Sequence, residues 1–197
     1  RLLQGDVGSG KTVVATIATL IAIQGGHQVA FMVPTEILAR QHYSVVSRQV
    51  LGVRDDIKIG LLISSINKKE KEKIYREIKE GKIDLVIGTH ALIEESVKFK
   101  NLGLIVIDEQ HKFGVGQRAL LPAKGANPDV LIMTATPIPR TLAITLYGDL
   151  DVSIINELPA GRLPVKTMQF SEKNKSQAYE IAKAQLRQGS QAYIVYP

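Results

Sequence analysis

The stretch Gly5-Asp6-Val7-Gly8-Ser9-Gly10-Lys11-Thr12 has the residue types and spacing that phosphate chemistry needs. It fits G-x-x-x-x-G-K-[ST] at every position. Glycines let backbone N–H groups turn inward around a phosphate, and a helix starting near Lys11 adds its N-terminal dipole. The Lys11 ammonium can reach the β- and γ-phosphates, and the Thr12 hydroxyl can ligate Mg²⁺. A short apolar stretch, Leu2-Leu3, precedes the loop and an amphipathic segment follows it. That strand-loop-helix context separates a nucleotide site from a chance glycine-rich turn, so ATP and Mg²⁺ are the expected cofactors.

A second group of chemistry-bearing residues closes the run Leu104-Ile-Val-Ile-Asp108-Glu109-Gln110-His111. An apolar strand here delivers two adjacent carboxylates. Successive side chains of a strand point to opposite faces, so both acids serve one site only if the strand ends at them. Ligands of open α/β sheets collect at the carboxyl ends of strands. Asp108 is expected to hold Mg²⁺ through water, and Glu109 to orient and deprotonate an attacking water.

The elements that position these groups are legible as alternation. Apolar runs recur at Gln28–Val33, Ile57–Ile63, Ile83–Ile87, Leu102–Ile107, Val130–Met133, Val152–Ile155 and Ala192–Val195. Most are apolar at consecutive positions, the pattern of strands covered on both faces in a parallel sheet. Helix-length segments lie between them: Lys11–Gln24, stopped by Gly25-Gly26; Thr35–Val50; and Asn67–Glu80, opened by a capping-box spacing and ended by Gly81. The expected fold is α/β, built of right-handed βαβ units with a mostly parallel sheet and helices on both faces. The Lys68–Lys73 run mixes signs and reads as a solvated helix face, with pairs such as Lys73 and Glu77.

The chain has 197 residues, 45% apolar, enough for one domain with some surplus and too many apolar groups for disorder. It has no cysteine, which excludes disulfide scaffolds, thiol catalysis and zinc-thiolate sites. The longest apolar stretch, Val13–Ile23, is about half the ~20 residues of a membrane span. The N-terminal residue is Arg rather than Met, so a cut terminus is expected, as is a cytoplasmic setting without membrane. With 25 Lys+Arg against 19 Asp+Glu, the net charge of +6 suits a polyanionic partner. Composition changes after residue 156. Residues 1–156 are expected to form a nucleotide-binding domain. Residues 157–164, with Pro159, Gly161 and Pro164, read as a linker. Residues 165–197 then give a strand (Val165–Phe170), a helix (Asn174–Gln188) and a last strand, too little to close a second core.

Beyond the loop and the acids, Thr134-Ala135-Thr136-Pro137 completes a set that resembles the motor of superfamily 2 helicases. The finer wording is similar to the RecG-type ATP-dependent DNA helicases of bacteria, which remodel stalled forks and branched junctions. It comprises Leu3–Thr12, Phe31–Thr35, Gly88–Leu92, Asp108–Val115 and Thr134–Arg140, continued by Tyr147–Asp151 and Pro159–Arg162. The likeness spans essentially the whole chain. It implies a first RecA-like lobe that is a P-loop NTPase, with 165–197 as the truncated start of a second such lobe. It implies that Pro34 and Thr35, then Thr89 and His90, touch the DNA backbone, contacts that hydroxyls, N–H groups and an imidazole at strand ends can make without reading bases. Thr35 before a helix is equally a natural N-cap. Thr134 and Thr136 are implied to couple nucleotide state through the acidic strand end, with Gln110 and His111 near the γ-phosphate.

The resemblance also implies parts that are absent here: a second lobe with its arginine, worth about 10³–10⁵ in rate, and a wedge domain that splits the junction. A monomer acting on branched DNA is expected, with this chain alone binding Mg-nucleotide and turning it over very slowly. The transcription-repair coupling motor shares much of the wording, and Gln110 stands where that relative is expected to carry an acid. A P-loop ATPase without nucleic acid, and a passive basic nucleic-acid module, are the other readings. His27 and His42 lack ligand spacing and are taken as ordinary residues, and Gln117 and Arg118 as either facing the site or solvated.

Overall fold

A strand apolar at every position needs a hydrophobic layer above and below it, and this requirement shapes the sheet of this protein. The computed structural model describes residues 1–109, 121–136, 150–157 and 165–195. Seven strands, β1 (Leu2–Gly5), β2 (Gln28–Met32), β3 (Ile59–Leu62), β4 (Leu85–Gly88), β5 (Leu102–Asp108), β6 (Asp129–Thr134) and β7 (Val152–Ile155), form one sheet in the order β3-β4-β2-β5-β6-β1-β7. Every neighbouring pair is parallel. The α/β reading with a parallel sheet therefore holds.

Alternate residues of each run feed separate cores. On one face Val29 and Phe31 of β2, Leu85 and Ile87 of β4, Leu104 and Val106 of β5 and Met133 of β6 pack with two helices, α1 (Lys11–Gln24) and α2 (Glu36–Leu51). On the other, Ala30, Met32, Val86, Ile105 and Ile107 pack with Ile74 and Ile78 of a third helix, α3 (Lys68–Glu80). Burying each of the larger side chains contributes about 1.5–3 kcal/mol. Among the described residues no helix is long and apolar enough to cross a membrane.

Local signals set the helix ends. The Thr35 hydroxyl accepts from the Leu38 amide at 3.3 Å, and Asn67 Oδ1 accepts from the Glu70 amide at 2.9 Å. Gly81, at φ 73°, terminates α3 in the left-handed conformation. On α3, Lys73 and Glu77 stand 3.8 Å apart across one turn.

The amino end of β2 carries a polar clamp that local pattern does not show. Gln28 is 5% exposed. Its Nε2 donates to the Ile78 and Ile83 carbonyls at 2.9 and 2.8 Å, and its Oε1 accepts from the Lys100 and Asn101 amides at 2.8 and 3.1 Å. One side chain thus ties the end of α3 to the turn before β5.

The chain divides into two compact units, residues 1–159 and 160–197. The second contains helix α4 (Lys175–Arg187), close to the expected Asn174–Gln188. The strands expected at 165–170 and 192–195 do not form, and no described residue of 165–195 is buried. Among the described residues of this unit there is no strand for their backbone to pair with, and propensity alone does not make a strand. Of the expected linker only Glu157 is described; 158–164 lie outside the described residues.

Candidate nucleotide site

The sheet order brings three strand ends side by side: β1, which runs into the glycine loop; β6, which runs into Thr134-Ala135-Thr136; and β5, which ends at Asp108. Gln4 pairs with Thr134, and Asp108 with Met133, so the three ends finish level. Adjacent strands are about 4.8 Å apart, which puts the β1 and β5 ends roughly 10 Å from each other, with β6 between. The loop and the acids, about a hundred residues apart in the chain, thus flank one another at the carboxyl edge of the sheet.

The loop is held open by its own backbone. Gly8 and Gly10 have φ of 81° and 96°, a region costly for residues with a Cβ. Gly10 is the N-cap of α1 and supplies no side-chain acceptor, in contrast to Thr35 and Asn67 on the next two helices. An uncapped first turn suits an anion. Lys11 Nζ donates to the Gly5 and Asp6 carbonyls at 2.7 and 2.9 Å, lying folded over the loop. A phosphate oxygen is a stronger acceptor than either carbonyl. Ser9 Oγ is buried with no hydrogen-bond partner among the described residues. A Cβ at Gly5 would sit 2.5 Å from that oxygen and 3.2 Å from Ile155 Cβ, so a larger residue there would have to displace the Ser9 hydroxyl and crowd Ile155. The residues present therefore fit a bound triphosphate: Gly5, Asp6, Val7, Gly8, Ser9, Gly10, Lys11 and Thr12 would hold its phosphates. Thr12 and Asp108 would share its magnesium. Among the described residues no cluster of three His, Cys, Asp or Glu could hold a metal by protein alone.

At the acidic end, Glu109 has φ 51°, the one non-glycine residue at positive φ among those described. Such a backbone costs about 1–3 kcal/mol and persists only where the surroundings impose it. Here the Glu109 amide donates to the Met133 carbonyl at 3.0 Å, and the Ala135 amide donates to Glu109 Oε1 at 3.4 Å. The β6 exit therefore grips Glu109 directly. The link from residues 134–136 to the acids runs through the Ala135 amide, whereas the Thr134 and Thr136 hydroxyls bond each other at 2.8 Å. Gln110, His111, Gln117 and Arg118 lie outside the described residues.

Asp108 has a partner that sequence reading set aside. His42 Nε2, on α2, lies 2.9 Å from Asp108 Oδ2, with the two side chains 12% and 14% exposed. The contact spans 66 positions, and no spacing in the chain signals it.

The residues implied to touch DNA sit on the same edge of the sheet, after β2 and β4. Thr35 is exposed and caps α2; Pro34 is half-buried. His90 is exposed, whereas Thr89 is 2% exposed and its hydroxyl has no partner among the described residues. Of that second pair only His90 presents its side chain to solvent. A cavity of about 370 Å³ beside the loop is lined by Gly5, Asp6, Ala135 and Asn156, while a larger one of about 750 Å³ lies against β3 and holds no phosphate-loop residue.

Residues 1–144 match the DEAD/DEAH box helicase family. The chain is 54% identical over 198 residues to the ATP-dependent DNA helicase RecG of Synechocystis, and 52% identical over 198 residues to that of Bacillus subtilis. Each alignment covers the whole of this chain and 24% or 29% of the relative, so the chain spans about a quarter of their length. A solved structure of RecG bound to a three-way DNA junction is similar over 100% of this chain and 26% of its own, with a TM-score of 0.81 and 49% identity.

Proposed function

The chain belongs to the DEAD/DEAH box helicase family, and on that premise we propose that it is the ATP-binding motor lobe of a RecG-type DNA helicase acting on branched DNA. One observation carries the reading. The glycine loop, the Asp108-Glu109 end and the Thr134–Thr136 exit occupy three adjacent strands of one sheet, and the Ala135 amide bonds the Glu109 carboxylate. A passive nucleic-acid module has no use for a strained glutamate clamped beside a phosphate cradle.

In this reading Lys11 and the loop amides bind the phosphates of ATP, and Thr12 and Asp108 hold magnesium, which supplies charge neutralisation at the phosphates when bound. Glu109 orients a water and takes its proton. Thr134 and Thr136 brace the Ala135 turn that reports on Glu109. Pro34, Thr35, Thr89 and His90 form the segments that approach the DNA backbone. Residues 165–197 are the start of a second RecA-like lobe. The activity belongs to a longer protein, a monomer whose second lobe supplies an arginine and whose wedge engages the junction, so this chain alone is nearly inactive. The RecG solved on a three-way DNA junction, 49% identical to this chain, supports branched DNA as the partner.

The test is the ATPase of the full-length protein on forked and on single-stranded DNA, with Glu109→Gln as the control. Stronger stimulation by forks, abolished in the variant, is expected. Equal stimulation by both DNAs contradicts the branched-DNA reading, and turnover indifferent to any DNA contradicts the motor.

A further inference from the structure

His42 lies outside the motifs that carry the proposed function, and its placement is specific. Helix α2 turns Ala39, Val46 and Val50 to the core, and His42 joins that face where the helix meets the ends of β2 and β5. Its ring lies against the fully buried Phe31, centroids 5.0 Å apart and planes tilted 38°. That packing limits the imidazole to one orientation. Packing alone would be served by an apolar residue; a histidine adds a donor where Asp108 ends. An ionised carboxylate has no proton to give, so the Nε2–H donates, and Oδ2 accepts at 2.9 Å. One oxygen of Asp108 is thereby engaged, which restricts the rotation of the carboxylate.

We propose that His42 is the positioning residue for Asp108: its imidazole, packed on Phe31, holds the carboxylate in the pose that magnesium bound with nucleotide requires. The inference rests on the proposed Mg-nucleotide site. Partners that orient metal-binding carboxylates change metal affinity by about 10- to 100-fold when removed. The distinguishing property is therefore magnesium dependence.

The experiment is binding of a fluorescent ATP analogue by the full-length protein, titrated with Mg²⁺. His42→Leu keeps the bulk and removes the donor. It is expected to raise the half-saturating Mg²⁺ concentration about tenfold or more, with affinity in the absence of Mg²⁺ unchanged. His42→Gln, whose amide nitrogen reaches toward the position of Nε2, restores the wild-type titration. In an Asp108→Asn background His42→Leu has no further effect. A wild-type Mg²⁺ titration for His42→Leu overturns the inference. So does a loss of equal size without Mg²⁺ or in the Asp108→Asn background, since either marks a merely structural role. Should His42→Leu not fold, His42→Gln and His42→Asn decide: near-wild-type behaviour of Gln with weakened Asn supports the role, and identical titrations overturn it. Unmodified protein that binds nucleotide without regard to Mg²⁺ overturns the proposed site as well, whereas normal Mg²⁺ dependence with indifferent His42 variants overturns this inference alone.

Discussion

The two ends of the sheet treat polar groups in opposite ways. At the amino end of β2, Gln28 is buried and makes four hydrogen bonds, all to backbone groups of fixed segments. At the carboxyl end of β1, β5 and β6, a helix starts without a side-chain cap, Ser9 Oγ has no partner among the described residues, a lysine lies over loop carbonyls and a glutamate is held at positive φ. A saturated polar group serves the fold. Unspent hydrogen-bonding capacity and backbone strain are what the proposed nucleotide site would use. The same contrast separates the helices: α2 and α3 are capped by their own Thr35 and Asn67, and the first turn of α1 has no side-chain cap.

Substitutions at the two ends should therefore separate activity from stability. The largest effect is expected from Glu109→Gln, which keeps the shape and the contact to Ala135 but not the base. DNA-stimulated turnover of the full-length protein should fall about 10²- to 10⁴-fold with nucleotide affinity retained. Lys11→Ala should weaken ATP-analogue binding at least about tenfold, since a charge-assisted hydrogen bond to phosphate is worth ~1.5–3 kcal/mol. Its urea midpoint should scarcely move. Gln28→Leu should do the reverse. It removes the partner of the Ile83 carbonyl and of the Lys100 and Asn101 amides, while the Ile78 carbonyl keeps the Gly81 amide, and should lower unfolding stability by about 2–4 kcal/mol, with ATP-analogue affinity unchanged. A Gln28→Leu protein as stable as the parent would blur the contrast between the ends.

The smallest effect concerns pH. The Ser65 hydroxyl and amide hold the Glu36 carboxyl below its ordinary range. A carboxyl depressed on folding adds stability above its unfolded pKa and loses it as pH falls through the folded one. Ser65→Ala should reduce the difference in stability between neutral and acidic solution, by an amount limited by the exposure of the pair.

The sequence carried the fold where local patterns suffice. Consecutive apolar residues such as Val29–Val33 announced a sheet with two covered faces. The Asn67-to-Glu70 spacing announced the start of α3, and the glycine loop announced α1. What remained hidden depends on distant segments. His42 meets Asp108 and Gln28 meets Lys100 only because crossovers bring them together, and neither pair leaves a mark at short range. The left-handed turn at Glu109 is imposed by Met133 and Ala135 from the next strand. The 165–170 and 192–195 segments show the converse, where local preference for a strand meets no partner strand among the described residues of that unit.

The central claim, a phosphate cradle served by the acids of the adjacent strand ends, is tested most directly by a crystal structure with a non-hydrolysable ATP analogue and Mg²⁺. The account predicts phosphates within hydrogen-bond distance of the 8–12 amides, Lys11 Nζ moved from the Gly5 and Asp6 carbonyls onto them, and Asp108 facing the metal. Electron density for nucleotide elsewhere, or Lys11 still on its carbonyls with Asp108 turned away, would contradict it.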